Sequence, residues 1–309
     1  MAPKKEDSAA SLGASPSRVP ASVRQNTPML DSYTFHSSEE EAEDPDVEYI
    51  MGIDEAGRGP VLGPQVYAVA FCKVDYEPQL KDMGFADSKT LTHEQRETLL
   101  DVIVDQPEDL KWSVRVMSPH DISRHMLQRA PYNLNAQSHD ATVSLISSIL
   151  SKKYNLTHVF VDTVGPTAAY HAKLSAAFPS LSFTVESKAD FKYPIVGAAS
   201  IAAKVTRDMC IENWTWLESK APDSEMPLGS GYPSDPKTVA WLQNSIDPIF
   251  GLPNIARFSW ATVKTLLEKN AKKVVWTDEP DNIQRFMTGS QEQRPPMMRE
   301  LQLRHVGAF

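Results

Sequence analysis

The chain has 309 residues with 31 basic and 40 acidic side chains, a formal net charge of −9, and only two cysteines. That length carries a sizeable core, and Cys72 and Cys210, each inside an apolar run, exclude a disulfide framework and a CxxC metal site. Nothing in the sequence has the apolar length of a membrane span or the pattern of a secretory signal, so a soluble intracellular protein is expected.

The acidic balance argues against a phosphate-rich partner, because phosphate binding draws on Lys and Arg. Seven of the acids, however, lie in the run Glu39 to Glu48, and Tyr49 to Trp276 sums to about −2. A local basic groove therefore remains open.

Residues 1–47 are rich in Ser, Ala and Pro, close on that acidic run, and read as a disordered tail. From Tyr49 short apolar runs begin: Tyr49 to Ile53 and "VYAVAFC" (66–72) predict two strands joined by a Gly/Pro turn. "HEQRETLLDVIV" (93–104) has helical spacing behind the N-cap Thr92, and "KWSVRVM" (111–117) alternates as a strand. "PHDISRHML" and "NLNAQSHDATVSLISSILSKKY" predict a short and a longer helix. "THVFVD" (157–162) is a β-branched strand, followed by a helix near 167–177 and a strand at 181–187. Tyr193 to Ser219 reads as one long, largely buried helix with Pro194 in its first turn. Strands alternating with helices predict an α/β domain with a mixed sheet over 48–220. A small helical extension at 221–276 and a disordered tail at 277–309 complete the chain.

Three strand ends carry carboxylates: Asp54 and Glu55, Asp162, and Asp190 just beyond the third. Each alone suits a turn or cap. On adjacent strands about 4.8 Å apart they would form one cluster, whose like charges raise one another's pKa unless a cation compensates. Oxygen donors suit Mg²⁺ or Mn²⁺, and two such ions support phosphodiester hydrolysis.

The turn "GRGPVLG" fits neither GxxxxGK[ST] nor GxGxxG, so nucleotide-cofactor readings fail on pattern. Gly57 and Gly59 let backbone approach a ligand, with Arg58 adding charge, and a backbone amide or carbonyl can pair with a ribose 2′-OH. A plain tight turn is the alternative. Lys204 and Arg207 on the long helix either approach phosphates or pair with acids.

"GIDEAGRGPVLGP" (52–64) resembles the signature of the type 2 ribonucleases H, the family of ribonuclease HII and the catalytic A subunit of eukaryotic ribonuclease H2. "ADSKTL" (86–91), "YNLN" (132–135), "VFVDTVG" (159–165), "SKAD" (187–190), "AASIAAKVTRD" (198–208), "GSGYPSDPKT" (229–238) and "RFSW" (257–260) resemble the eukaryotic form in order and spacing. Ser187 stands where the family pattern has a small apolar residue.

The resemblance implies a ribonuclease H-like fold. It implies cleavage of the RNA strand of RNA/DNA hybrids and incision 5′ to single ribonucleotides in duplex DNA, leaving a 3′-hydroxyl and a 5′-phosphate. It further implies a heterotrimer with two non-catalytic subunits, acting in the nucleus in replication and repair. Asp54, Glu55, Asp162 and Asp190 match the metal-binding, catalytic carboxylates. Gly57, Arg58 and Gly59 match the 2′-OH-sensing turn, Tyr232 the tyrosine that stacks on the neighbouring sugar, and Asp87, Ser88 and Lys89 a motif near the phosphates.

Overall fold

The computed structural model describes residues 19–85, 91–163, 165–218 and 226–273. All the elements below belong to the first of two compact units, residues 1–271; of the second, 272–309, only Lys272 and Lys273 are described.

Within the segment that composition assigns to a disordered tail, Tyr33–His36 form a strand, β1, paired antiparallel to Leu110–Met117. Tyr33 is buried, and its hydroxyl donates to the Ser22 carbonyl at 2.8 Å. The Ser22 hydroxyl in turn lies 2.8 Å from that of Thr206. The acidic run is held too, through Glu39 on Lys152 at 2.7 Å and Glu41 on Lys153. Low apolar content spread over 47 residues hides these few anchors, each of which uses a surface supplied by distant sequence. Residues 1–18 lie outside the described residues.

Strands β2 (Glu48–Ala56) and β3 (Gln65–Lys73) pair antiparallel around the Gly/Pro turn. Helices α1 (Glu77–Asp82) and α2 (His93–Val104) follow, the latter opened by a capping box between Thr92 and Gln95. Next come β4 (Leu110–Met117), α3 (Pro119–Leu127), α4 (Leu134–Ser151), β5 (Asn155–Asp162), α5 (Thr167–Ala177), β6 (Ser182–Glu186) and α6 (Ala189–Lys192). The sheet order is β1-β4-β3-β2-β5-β6, parallel across β2-β5-β6 and antiparallel elsewhere.

The central strands are buried on both faces, which is why they read as continuous apolar runs. In β3, Val66, Ala68, Ala70 and Cys72 face one core with α7 (Pro194–Glu212), while Tyr67, Val69 and Phe71 face a second with α4 and α5. Small residues mark the α7 side. A Cβ on Gly52 would stand 2.4 Å from the Ile195 backbone, so this helix lies directly on β2.

The long helix ends at Glu212 rather than Ser219. Asn213 turns its side-chain amide back onto the Met209 carbonyl at 3.0 Å, and Trp214 and Trp216 leave the helix for a third core. That core joins α8 (Pro236–Asn244) and α9 (Ala261–Asn270) to Val61 and Leu62 of the glycine turn. The C-terminal extension is thus packed onto the site-bearing loop. Among the described residues no helix is long and apolar enough to cross a membrane.

Candidate active site

Strands β2 and β5 are parallel neighbours with Ile53 opposite Val161, so the residues that follow, Asp54 and Asp162, lie side by side. Alternation along β2 sends Gly52 and Asp54 to the α7 face. There the Ser200 side chain on α7 bonds to Asp54, and Lys204 one helical turn on donates to Ser200 Oγ at 2.7 Å. The Glu55 N–H donates to Asp54 Oδ1 at 2.7 Å.

Asp54 is only 5% exposed. Burial pushes its carboxyl up to about 7; the Ser200 bond and the Lys204 charge pull it down, while the Asp162 charge pushes it further up. Asp162 Oδ1 accepts from the N–H of Thr163 at 2.9 Å and of Ala189 at 3.3 Å. The second of these bonds ties β5 to the start of α6, whose next residue, Asp190, is fully buried. The left-handed Lys188, φ +58°, makes the bend between β6 and α6.

Glu55 alternates to the opposite face. Burial raises the Tyr170 hydroxyl to about 12, and the Glu55 charge adds to that rise.

The turn after them is fastened from below. Arg257 is completely buried, and its guanidinium donates to the carbonyls of Gly57 at 2.6 Å, Gly63 at 2.9 Å and Arg58 at 3.2 Å. Trp260 Nε1 donates to the Gly59 carbonyl at 3.1 Å. Gly57 has φ +77°, and a Cβ there would meet the Arg207 side chain at 2.5 Å. The Arg58 side chain reaches α4, bonding Ser138 at 2.9 Å and Asn135 of the "YNLN" stretch. Tyr232, about half exposed, sits against the turn, since a Cβ on Gly59 would stand 3.0 Å from its ring.

Of the expected site residues, Asp54 and Asp162 are brought together, with Asp190 one residue from a bond to Asp162. Gly57, Arg58, Gly59 and Tyr232 form one rim, and Asp87, Ser88 and Lys89 lie outside the described residues. Ser200, Arg207, Arg257 and Trp260 gain places in the site that short-range pattern leaves unassigned. Their signals are the i,i+4 pair in "SIAAK" and the motif "RFSW", but a motif does not say which distant backbone it holds.

Among the described residues no three His, Cys, Asp or Glu side chains are drawn together closely enough to hold an ion. The donor chemistry nonetheless fits a hard divalent cation: oxygen-only groups on two adjacent strand ends, one of them buried beside a like charge. Asp54 and Asp162 are the residues best placed to hold it.

A mixed six-stranded sheet flanked by helices, with acids closing its central parallel strands, defines a ribonuclease H-like α/β fold. Residues 51–263 match the family model for ribonuclease HII. The chain is 48% identical over 229 residues to the A subunit of ribonuclease H2 from Mus musculus, covering 74% of this chain and 76% of that one. The corresponding Homo sapiens protein is also 48% identical, with the same coverage. Among solved structures, the ribonuclease H2 of Pyrococcus horikoshii superposes with a TM-score of 0.61 at 34% identity, covering 73% of this chain and 100% of that one. The chain belongs to the ribonuclease HII family and is a ribonuclease H enzyme.

Proposed function

We propose that this chain hydrolyses the RNA strand of RNA/DNA hybrids and incises duplex DNA 5′ to single embedded ribonucleotides, leaving a 3′-hydroxyl and a 5′-phosphate. The observation that carries the reading is the turn directly after Asp54 on β2, where Gly57 and Gly59 carry no side chain, that of Arg58 is drawn off to α4, and Tyr232 packs against Gly59. The turn that would test a sugar follows directly on the strand whose Asp54 would handle a phosphate.

In this reading Asp54, Glu55, Asp162 and Asp190 hold two divalent ions, Mg²⁺ or Mn²⁺. When bound, such ions supply activated water and neutralise charge on the phosphodiester. The chain's own residues select the substrate. Backbone at Gly57–Gly59 approaches the ribose because the two glycines carry no side chain and that of Arg58 is held on α4. The exposed Tyr232 ring offers an apolar face to the next sugar, where a 2′-OH is disfavoured. Lys204, bonded to Ser200 beside Asp54, adds positive charge at a site that must accept a polyanion. Asp87, Ser88 and Lys89 contribute phosphate contacts in the same reading.

The mouse and human relatives are each one subunit of a larger enzyme, which supports a complex. We take it to be a heterotrimer with two non-catalytic subunits, working in the nucleus in ribonucleotide removal, replication and repair. The test is incision of a DNA duplex carrying one ribonucleotide, by the full chain alone and co-expressed with candidate partners, with and without Mg²⁺ or Mn²⁺. Cutting of uniform hybrid but never of the single-ribonucleotide duplex would sink the proposed specificity.

A further inference from the structure

Among the described residues, three that are not glycine have a left-handed backbone: Asn26, Lys153 and Lys188. An L side chain is strained in that region, and asparagine is one of the few types that tolerate it. Lys153 stands one residue past the cap of α4, where helices commonly end in this conformation, and its side chain pairs with Glu41. Lys188, with φ +58° and ψ +41°, has neither explanation.

The bend itself is required. It carries the chain from β6 to α6, so that the Ala189 N–H reaches Asp162 Oδ1 at 3.3 Å and Asp190 is fully buried. The Lys188 carbonyl accepts the Phe191 N–H at 3.2 Å. Backbone alone, however, calls for glycine at such a point. The lysine side chain is exposed, and among the described residues it enters no ion pair or hydrogen bond. Glu186, the acid two positions before it, is already paired with Lys192. A strained position thus holds an exposed ammonium next to the residue that bonds Asp162.

The place of that charge in the sheet says what it meets. β2, β5 and β6 are parallel neighbours in that order, so their C-terminal ends form one edge. At that edge the glycine turn follows β2 and Lys188 follows β6, with Asp162 of β5 between them. Nucleic acid lying across Asp54 and Asp162 has the glycine turn on one side and Lys188 on the other.

We infer that Lys188 is a substrate-binding residue whose ammonium contacts a backbone phosphate of the nucleic acid on the β6 side of the acid cluster. The inference rests on the proposed function, which puts a nucleic-acid strand across these acids, and adds a cation on the side away from the glycine turn. Phosphates carry no base or sugar identity, so this contact holds the substrate without reading it.

The test compares wild type with Lys188→Gly, Lys188→Met and Lys188→Arg, each as the full chain in its complex, at fixed Mg²⁺. Glycine relieves the backbone and removes the charge, methionine keeps an unbranched stem without the charge, and arginine keeps the charge. KM for an RNA/DNA hybrid is measured from about 50 to about 200 mM salt. Lys188→Gly and Lys188→Met are expected to raise KM by roughly 3- to 10-fold with kcat nearly unchanged. They should also lower the slope of log KM against log salt by about 0.9, the loss of one phosphate contact. On a duplex carrying one ribonucleotide KM should rise by the same factor, because phosphates are common to both substrates. Lys188→Arg should restore wild-type values, and the unfolding midpoint of Lys188→Gly should equal or exceed that of wild type.

A side chain kept for folding gives the opposite pattern: lower midpoints in Lys188→Gly and Lys188→Met with the salt slope unmoved. That result overturns the inference, as does an unchanged slope with native midpoints, or a Lys188→Arg enzyme no better than Lys188→Met. Failure of wild type to cut either substrate would instead reject the proposed function, so the two failures are distinguishable.

Discussion

Gly52 and Ile195 are in backbone contact: a methyl group on Gly52 would stand 2.4 Å from the Ile195 carbonyl carbon and oxygen. This closeness sets α7 at a height over β2 from which Ser200 and Lys204 reach Asp54. The obstruction is backbone and has no rotamer to move. Gly52→Ala is therefore expected to cost about 3 kcal/mol or more and to reduce activity by displacing α7. Gly84→Ala serves as the control, since among the described residues a Cβ there meets nothing within 4 Å. Its φ of +80° predicts a loss of only about 1 kcal/mol. Denaturant unfolding of both variants checks the difference.

Asp54 trades stability for function. Its folded carboxyl lies near 7 against an ordinary value of 3.8, so between those values the native state holds a proton that the unfolded chain has lost. The metal-free protein should lose stability as pH rises through that window, and the full penalty applies above it. Asp54→Asn removes the penalty. It should raise stability at about pH 8 by about 2–4 kcal/mol, with little change at about pH 3. The same variant should lower cleavage by at least about a thousandfold while hybrid binding persists. Thermal unfolding with a chelator, repeated with Mg²⁺, provides the check: wild type should gain more from the metal than the variant. Near-native turnover by Asp54→Asn would falsify the role.

What the sequence makes legible here is what short-range pattern encodes. Alternation and apolar runs locate β2, β3, β4 and β5, and the capping box at Thr92 announces α2. Motif order identifies the acids and the glycine turn. Three things were not legible. β1 depends on Tyr33 finding Ser22, and on Ser22 finding Thr206, 184 residues away. The end of α7 depends on Trp214 being drawn to Asn254, its indole N–H donating at 3.3 Å. The fastening of the turn depends on Arg257, which in sequence is one more surface-type residue and in the fold is fully buried. In each case the deciding partner is distant in the chain, and local propensity does not encode it.

The N-terminal strap can be tested by one hydroxyl. Tyr33→Phe deletes the donor that meets the Ser22 carbonyl at 2.8 Å in a buried setting and leaves that carbonyl without it. A loss of about 1–2 kcal/mol is expected. Because Ser22 contacts α7 through Thr206, next to Arg207, amide exchange should quicken in 19–36 and at the middle of α7 together. Exchange that quickens only in the strap would show that it is an independent appendage.

Tyr232 separates substrate recognition from stability because its ring is about half exposed and only its inner edge meets Gly59. Tyr232→Ala should therefore leave the unfolding midpoint almost unchanged. If the ring stacks on the sugar beside the scissile linkage, its loss should lower kcat/KM for a single embedded ribonucleotide by roughly 5- to 100-fold, the worth of one stacking contact. Tyr232→Phe keeps the ring and should restore most of that loss, which points to the apolar face rather than the hydroxyl. On an all-RNA/DNA hybrid many registers present a ribose at the cut, and the neighbouring sugar also carries a 2′-OH that the ring disfavours. The defect of Tyr232→Ala should be smaller there. Side-by-side kcat/KM values on the two substrates decide the matter, and equal losses on both would remove Tyr232 from discrimination.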